Sequence, residues 1–218
     1  MNKNKKPEKG HFGYINHYKK IKGIIGFLSL AMVFVIYFTG IIIYHSNKTI
    51  FTVMAAVATL PAAKFLIAYI IAFPYKSAEK SIYDSLISGC KNSGWLAIDS
   101  DEPSCESNAE YIKDDKAVLL ADMIFTYDKY IMYVDYIVIN RGHVFAYSSH
   151  KKTDKKYAEG YIKKILDNFC NYKSYKFYTE ESLFIKDALN DIETNRNTEA
   201  KVLINDLVVA RKLLPYSI

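Results

Sequence analysis

Between residues 23 and 75 the chain has no aspartate or glutamate, and Lys48 and Lys64 are the only charges in that stretch. Cysteine is scarce as well. Cys90, Cys105 and Cys170 show no C-x-x-C spacing, so neither a disulfide-stapled secreted fold nor a cysteine zinc site is expected. Glycine-rich phosphate cradles are missing: neither G-x-x-x-x-G-K-[ST] nor G-x-G-x-x-G occurs, and no cofactor is expected. There is no internal repeat and no low-complexity linker. Taken together, these features exclude a soluble enzyme, a secreted disulfide scaffold and a disordered chain.

What is present is unevenly placed. The 218 residues carry 29 Lys+Arg against 23 Asp+Glu, a net charge of +6. Residues 1–22 hold seven lysines against Glu8, whereas residues 76–218 hold 20 basic and 22 acidic side chains. The positive excess is therefore an N-terminal arm and not a basic globule, and no nucleic-acid partner is expected. A mean hydropathy of −0.04 averages an apolar segment with a charged one.

Gly23–Tyr44 is uncharged and rich in Ile, Phe, Val and Leu. At about 1.5 Å per residue a helix of that length spans a hydrocarbon core of roughly 30 Å. It exceeds a signal peptide's apolar run, and no small-x-small site follows it. His45-Ser46-Asn47-Lys48 makes a short polar turn into a second run, Thr49–Tyr75, with Pro61 and Lys64 near its middle. Pro61 is expected to kink that helix or to start its second half. The basic arm, with Lys76 and Lys80 after the second run, places both termini in the cytoplasm by the positive-inside rule. Lys64 is then an intramembrane charge with no acidic partner in its own span. It either pairs with an acidic group of another subunit or a lipid phosphate, or snorkels beside the proline. Ala55, Thr59 and Ala63, like Ala68 and Ala72, recur every fourth residue, a spacing that lets helices approach.

Beyond residue 76 the pattern changes to that of a folded domain. Ser77–Asn92 reads as a helix with Ala78, Ile82, Leu86, Ile87 and Cys90 on one face. Trp95–Ile98 reads as a short strand, and Asp99–Lys116 as an acidic loop. Three strands follow, Ala117–Thr126, Tyr130–Ile139 and Val144–Ser148, with turns at Asp128-Lys129 and Asn140-Arg141-Gly142. In the middle strand, Met132, Val134, Tyr136 and Val138 form one face, and Ile131, Tyr133, Ile137 and Ile139 the other. Both are apolar, which predicts a central strand covered on both sides. Thr153–Tyr172 is an amphipathic helix with Tyr157, Tyr161, Ile165 and Phe169 at spacing four. A strand at Tyr175–Tyr178, a helix capped by Thr179 that buries Phe184, Ala188, Leu189 and Ile192, and a last helix over Thr198–Leu214 complete the domain.

Few residues offer chemistry. Asp99-Ser-Asp101 has the form of the D-x-D that holds a nucleotide-sugar metal in glycosyltransferases, but no room for a nucleotide-binding βαβ region precedes it. The order helix, three strands, helix, strand is faintly similar to the core of restriction-endonuclease-like folds. On that resemblance Asp135 ends one strand, and Ser148 and His150 stand where an active nuclease has E-x-K. One carboxylate is too few for Mg²⁺-dependent hydrolysis, so the site reads as degenerate. His143 and His150 have no partnering ligand pattern, and no metal site is expected. Lys151, Lys152, Lys155 and Lys156 form a basic cluster that, with Arg141, faces either solvent or anionic lipid.

Phe51-Thr-Val-Met-Ala-Ala-Val-Ala-Thr-Leu60-Pro61-Ala62-Ala63-Lys64 resembles the L-P-A-x-[KR] element in the second span of a family of small two-transmembrane-helix proteins of Gram-positive anaerobes. A later stretch, from Val134-Asp135 through Gly142 to Tyr147-Ser148, resembles the same family. The resemblance implies that Pro61 and Lys64 belong to a family pattern, and that the domain after them is one unit of a bacterial cell membrane protein.

The architecture expected is α/β. A basic arm over residues 1–22 leads into a transmembrane hairpin over 23–75 (spans 23–44 and 49–75). A cytoplasmic α/β domain with a mainly antiparallel sheet follows over 76–218. The function expected is a non-enzymatic, membrane-anchored binding or accessory protein. Its expected partners are the bilayer, anionic lipid head groups, and a membrane protein or a second copy. The alternative is a nuclease-like or glycosyltransferase-like enzyme at the inner membrane surface. An enzyme should gather titratable groups around Asp135, His143 and His150 in a pocket, whereas a binding module should expose an aromatic or basic patch.

Overall fold

The computed structural model describes Pro7 and residues 9–89, 117–151, 153–194 and 200–218. The expected strand at Trp95–Ile98, the Asp99-Ser-Asp101 element, Cys90, Cys105 and Lys152 lie outside the described residues. The chain divides into two compact units, Ile15–Lys76 and Ser77–Ile218, the latter joined by the segment ending at Tyr14.

The first unit is a pair of long helices, α1 (Tyr14–Tyr44, which begins in the sheet unit's last N-terminal residue) and α2 (Ile50–Ala72). Helix α1 starts inside the basic arm, so Lys19, Lys20 and Lys22 are helical. Lys19 donates to the Tyr75 carbonyl at 2.5 Å, and the Lys22 ammonium stands 5.1 Å from the Phe65 ring centre. Both helices are long and apolar enough to cross a membrane, and little of either apolar stretch is buried. Helix α2 runs unbroken through Pro61, so a second start there is not seen.

The contact between the helices is carried by small residues. Ala55 and Ala62 are buried against Val33, with Ile36, Tyr37 and Ala58 around them. The buried line on α2 runs through Ala55, Ala62 and Ala72 with Ala58 half-buried, a spacing of three and four. The stripe expected at Ala55, Thr59 and Ala63 is thus corrected, since Thr59 and Ala63 are exposed. Steps of four alone drift around a helix of 3.6 residues per turn, while alternating three and four stays on one side. Glycines let α1 come close: a Cβ at Gly40 would lie 2.5 Å from the Phe51 Cβ, and one at Gly26 3.0 Å from Leu66.

The second unit is a sheet between two helical layers. Its elements are α3 (Lys80–Gly89), β1 (Val118–Tyr127), β2 (Tyr130–Asn140), β3 (His143–Tyr147), α4 (Lys155–Phe169), β4 (Ser174–Tyr178), α5 (Glu181–Thr194) and α6 (Ala200–Leu213), closed by a 3₁₀ turn at Leu214–Tyr216. The strand order is β1-β2-β3-β4. β1, β2 and β3 pair antiparallel, but β4 lies parallel to β3. The sheet is therefore mixed and not mainly antiparallel. Helix α4 intervenes between β3 and β4, and such a crossover returns the chain in the same direction. β2 is internal, as its two apolar faces require.

Helices α4 and α6 cover one side of the sheet, packing Ile162, Ile165, Leu166, Val209 and Leu213 on Met123, Phe125, Ile137 and Val144. α3 and α5 cover the other side, with Ile82, Leu86, Phe184 and Ala188 on Leu119, Tyr136, Val138 and Tyr147. On α4 the buried line is Ala158, Ile162, Ile165 and Leu166, while Tyr157 and Tyr161 sit at its margin and Phe169 is exposed. The helix begins at Lys155, later than the expected Thr153, and Asp154 caps it, accepting from the Tyr157 N–H. The two-residue β2–β3 turn holds Arg141 at φ 54° and Gly142 at φ 83°. Both values lie in the left-handed region that a tight hairpin of this type requires. From α6, Asp206 accepts from the Arg141 and Gly142 N–H groups, the latter at 2.7 Å. Arg141 is thus buried at the turn and does not join the lysines of α4 on the surface.

The outer edge of β1 is not left open. Ala121 donates to the Gly10 carbonyl at 2.8 Å, and Ile218 donates to the Ile124 carbonyl at 2.8 Å. Ser217 bridges Phe125, and Lys9 donates to the Ser217 carbonyl at 2.5 Å. Covering an edge strand in this way removes a template for unwanted strand pairing.

Candidate functional site

Two clusters of the sheet unit carry polar chemistry, and they differ in access. The first lies inside the sheet. The register places Ala121 opposite Tyr136 and Met123 opposite Val134, so Asp122 and Asp135 face each other across β1 and β2. Asp122 sits at φ 55°, and both strands change faces at this point. Met132 and Val134 pack with α4 and α6, whereas Tyr136 and Val138 pack with α3 and α5. The single continuous face expected for these four residues is thus corrected. In β1 the left-handed Asp122 interrupts the two-residue alternation and turns the rest of the strand over, and the paired β2 exchanges faces at the opposite residue, Asp135.

Both carboxylates are nearly inaccessible, Asp122 at 1 % and Asp135 at 4 % exposure. Asp122 is fully engaged: one oxygen accepts from the Gly13 N–H at 2.9 Å, and the other from the Ala78 N–H at 2.7 Å and the Tyr133 hydroxyl at 3.0 Å. Gly13 immediately precedes α1 and Ala78 lies after α2, so one side chain gathers both passages of the sheet unit that lead to the helical pair. Asp135 accepts from the Ser149 N–H at 2.6 Å and from the Ser149 hydroxyl at 3.2 Å. Burial pushes its carboxyl up to about 6, with Asp122 adding to the push, against the Ser149 hydrogen bonds that pull it down. Burial and the same two carboxylates raise the Tyr133 and Tyr136 hydroxyls.

Of the degenerate-site residues, Asp135 meets Ser149 and not Ser148. The Ser148 hydroxyl donates to the Tyr133 carbonyl at 2.6 Å, and the His150 ring lies edge-on to Tyr133 at 6.1 Å. His143 is elsewhere, sharing a 2.6 Å hydrogen bond with the Ser174 hydroxyl. Two grooves, one lined by Tyr127, Tyr157 and Tyr161 and one by Phe145, Lys176 and Asp187, contain none of Asp122, Asp135, Ser148 or His150. Among the described residues, no three His, Cys, Asp or Glu side chains are grouped to hold a metal ion.

The second cluster is open. A groove of about 420 Å³ is lined by Tyr127, Asp154, Lys156, Tyr157, Gly160, Tyr161 and Lys164, between the β1–β2 turn and α4. Tyr127 stacks on Tyr161 with ring centres 4.6 Å apart, and Tyr130 lies 4.1 Å from Tyr157. The Lys164 ammonium stands 5.3 Å from the Tyr127 ring centre and 3.5 Å from its hydroxyl. Gly160 faces open space where a side chain would stand. The helix places Lys156, Gly160 and Lys164 in one row at spacing four, and Tyr157 and Tyr161 in the next. Tyr127 and Tyr130, flanking the two-residue turn, bring their rings to the same end. Sequence spacing marked Tyr157, Tyr161 and Lys156 but assigned the tyrosines to the core. It passed over Tyr127, Lys164 and Gly160, for which only the Tyr-x-x-Tyr pair around the turn was a signal.

No protein-family model, curated protein or solved structure matches the chain.

Proposed function

We propose that this is a bacterial cell-membrane protein in which α1 and α2 cross the bilayer as a hairpin, with both termini cytoplasmic. The sheet unit is its cytoplasmic domain, and it binds where an enzyme would catalyse. The observation that carries the binding reading is the contrast between the two clusters. The exposed groove is built of tyrosine and lysine, while the carboxylates of Asp122 and Asp135 are sealed in the sheet and accept from backbone N–H groups. Anchoring is supported by the outward apolar side chains of both helices, among them Leu28 at 64 %, Leu60 at 72 % and Ile70 at 64 % exposure. The resemblance to small two-span proteins of Gram-positive anaerobes points the same way.

Lys64 is exposed and stands off the Ala55–Ala62 seam, so on this reading it faces lipid or another chain. A charge at mid-bilayer costs about 2.5–3.5 kcal/mol on insertion scales, which favours a partner carboxylate or a lipid phosphate. The test is cross-linking of the tagged full chain in its native membrane. A stoichiometric membrane protein or second copy, recovered with the native chain and lost with Lys64→Leu, is the expected result. Release of the chain by alkaline carbonate overturns the anchoring, and unchanged recovery with Lys64→Leu overturns the intramembrane contact.

A further inference from the structure

We propose that the tyrosine groove between α4 and the β1–β2 turn seats the anionic head group of a membrane phospholipid. The inference rests on the anchored reading above, which keeps the domain within reach of a bilayer surface. Donors dominate the groove: the ammonium groups of Lys156 and Lys164 and the hydroxyls of Tyr127, Tyr157 and Tyr161. The one carboxylate, Asp154, has an oxygen committed to the Tyr157 N–H at 3.1 Å. Loss of solvent raises the Tyr157 and Tyr161 hydroxyls above their ordinary range, so both remain protonated donors. Among the described residues the salt bridge is Lys176 with Asp187, and neither groove lysine has a carboxylate partner. Two ammonium groups and three hydroxyls on one groove are complementary to an anion.

The walls select among anions. They are the rings of Tyr127, Tyr157 and Tyr161 and an exposed helix backbone at Gly160, so apolar surface lies beside the two ammonium groups. A small soluble phosphate ester has nothing to set against those walls. A nucleobase needs an open ring face, yet Tyr127 is taken by Tyr161 and Lys164, and Tyr157 by Tyr130. An amphiphile with a phosphate and an apolar glycerol-ester region matches both parts, and tyrosine is well suited to that boundary. Tethering supplies such head groups at high effective concentration, so a shallow seat suffices.

The test uses the full chain in nanodiscs of mixed phosphatidylcholine and phosphatidylglycerol, with a photo-cross-linking residue at exposed Glu159. Phosphatidylglycerol adducts enriched several-fold over their share of the lipid are expected. Lys156→Glu with Lys164→Glu should abolish that enrichment. Lys186→Glu with Lys212→Glu, an equal charge change at exposed positions of α5 and α6, should leave it intact. Lys156→Gln with Lys164→Gln serves if charge reversal disturbs the fold by circular dichroism. No enrichment, or enrichment that survives either double variant, overturns the seat. So does loss of adduct formation when soluble glycerol phosphate is present during photolysis, which would make a free ester the ligand. A chain that fails to enter the discs overturns the anchoring itself, and is distinguished by its elution apart from lipid.

Discussion

The helical pair and the sheet unit use apolar side chains in opposite ways. In α1 and α2 the large residues point outward, and the buried positions are mostly Gly and Ala. In the sheet unit Phe125, Tyr136, Leu86 and Phe184 are within 2 % of complete burial, and the exposed surface is charged. A domain in water is held by burying large side chains, at roughly 1.5–3 kcal/mol each. Helices in lipid gain nothing that way, and small residues associate them by close packing. The difference is the one expected if, as proposed above, the helical pair lies in lipid and the sheet unit in water.

The largest effect should come from deleting a core ring. Phe184→Ala should destabilise the sheet unit by about 3–5 kcal/mol, through lost burial and the cavity left behind. Leu60→Ala removes similar bulk from the outside of α2 and should leave thermal unfolding in detergent nearly unchanged. Equal losses at both sites would dissolve the contrast between the units.

Next is Asp122→Ala, which strands the Gly13 and Ala78 N–H groups and the Tyr133 hydroxyl. A cost of about 3 kcal/mol is expected if most of these donors stay buried. Hydrogen exchange should quicken first at Gly13 and Ala78; uniform quickening over the whole sheet would deny this residue a local gathering role.

Smaller and pH-dependent is Asp135. Its carboxyl is held at about 6, above the ordinary value of 3.8, so the folded state binds the proton more tightly than the unfolded chain. The associated stability is present below about pH 4 and lost as pH rises through 6, on the order of 2 kcal/mol. Asp135→Asn should flatten the stability profile across that window. A profile that keeps its slope in the variant would assign the titration to another group, Asp206 being the next buried carboxylate raised by desolvation.

Much of the fold was legible because its signals are local. Run length and missing charge marked two helices, the turn residues Asp128-Lys129 and Asn140-Arg141-Gly142 marked the hairpins, and two apolar faces made β2 internal. The mixed sheet was not legible, because the direction of β4 depends on where α4 carries the chain. The candidate site was half-legible: Lys156, Tyr157 and Tyr161 stood out by helical spacing, but Tyr127 joins them only through the β1–β2 turn.

What the sequence by itself determined is which segments are apolar and uncharged, which carry a charged surface, and where most elements begin and end. Hydropathy, charge and turn chemistry are properties of neighbours along the chain. The tertiary structure alone decided the exchange of faces at Asp122 and Asp135, the seal around them, and the open groove. Asp122 binds Gly13 across 109 residues and Ala78 across 44, and no periodicity reaches that far. Those contacts exist because a buried carboxylate must find donors wherever the packed elements supply them.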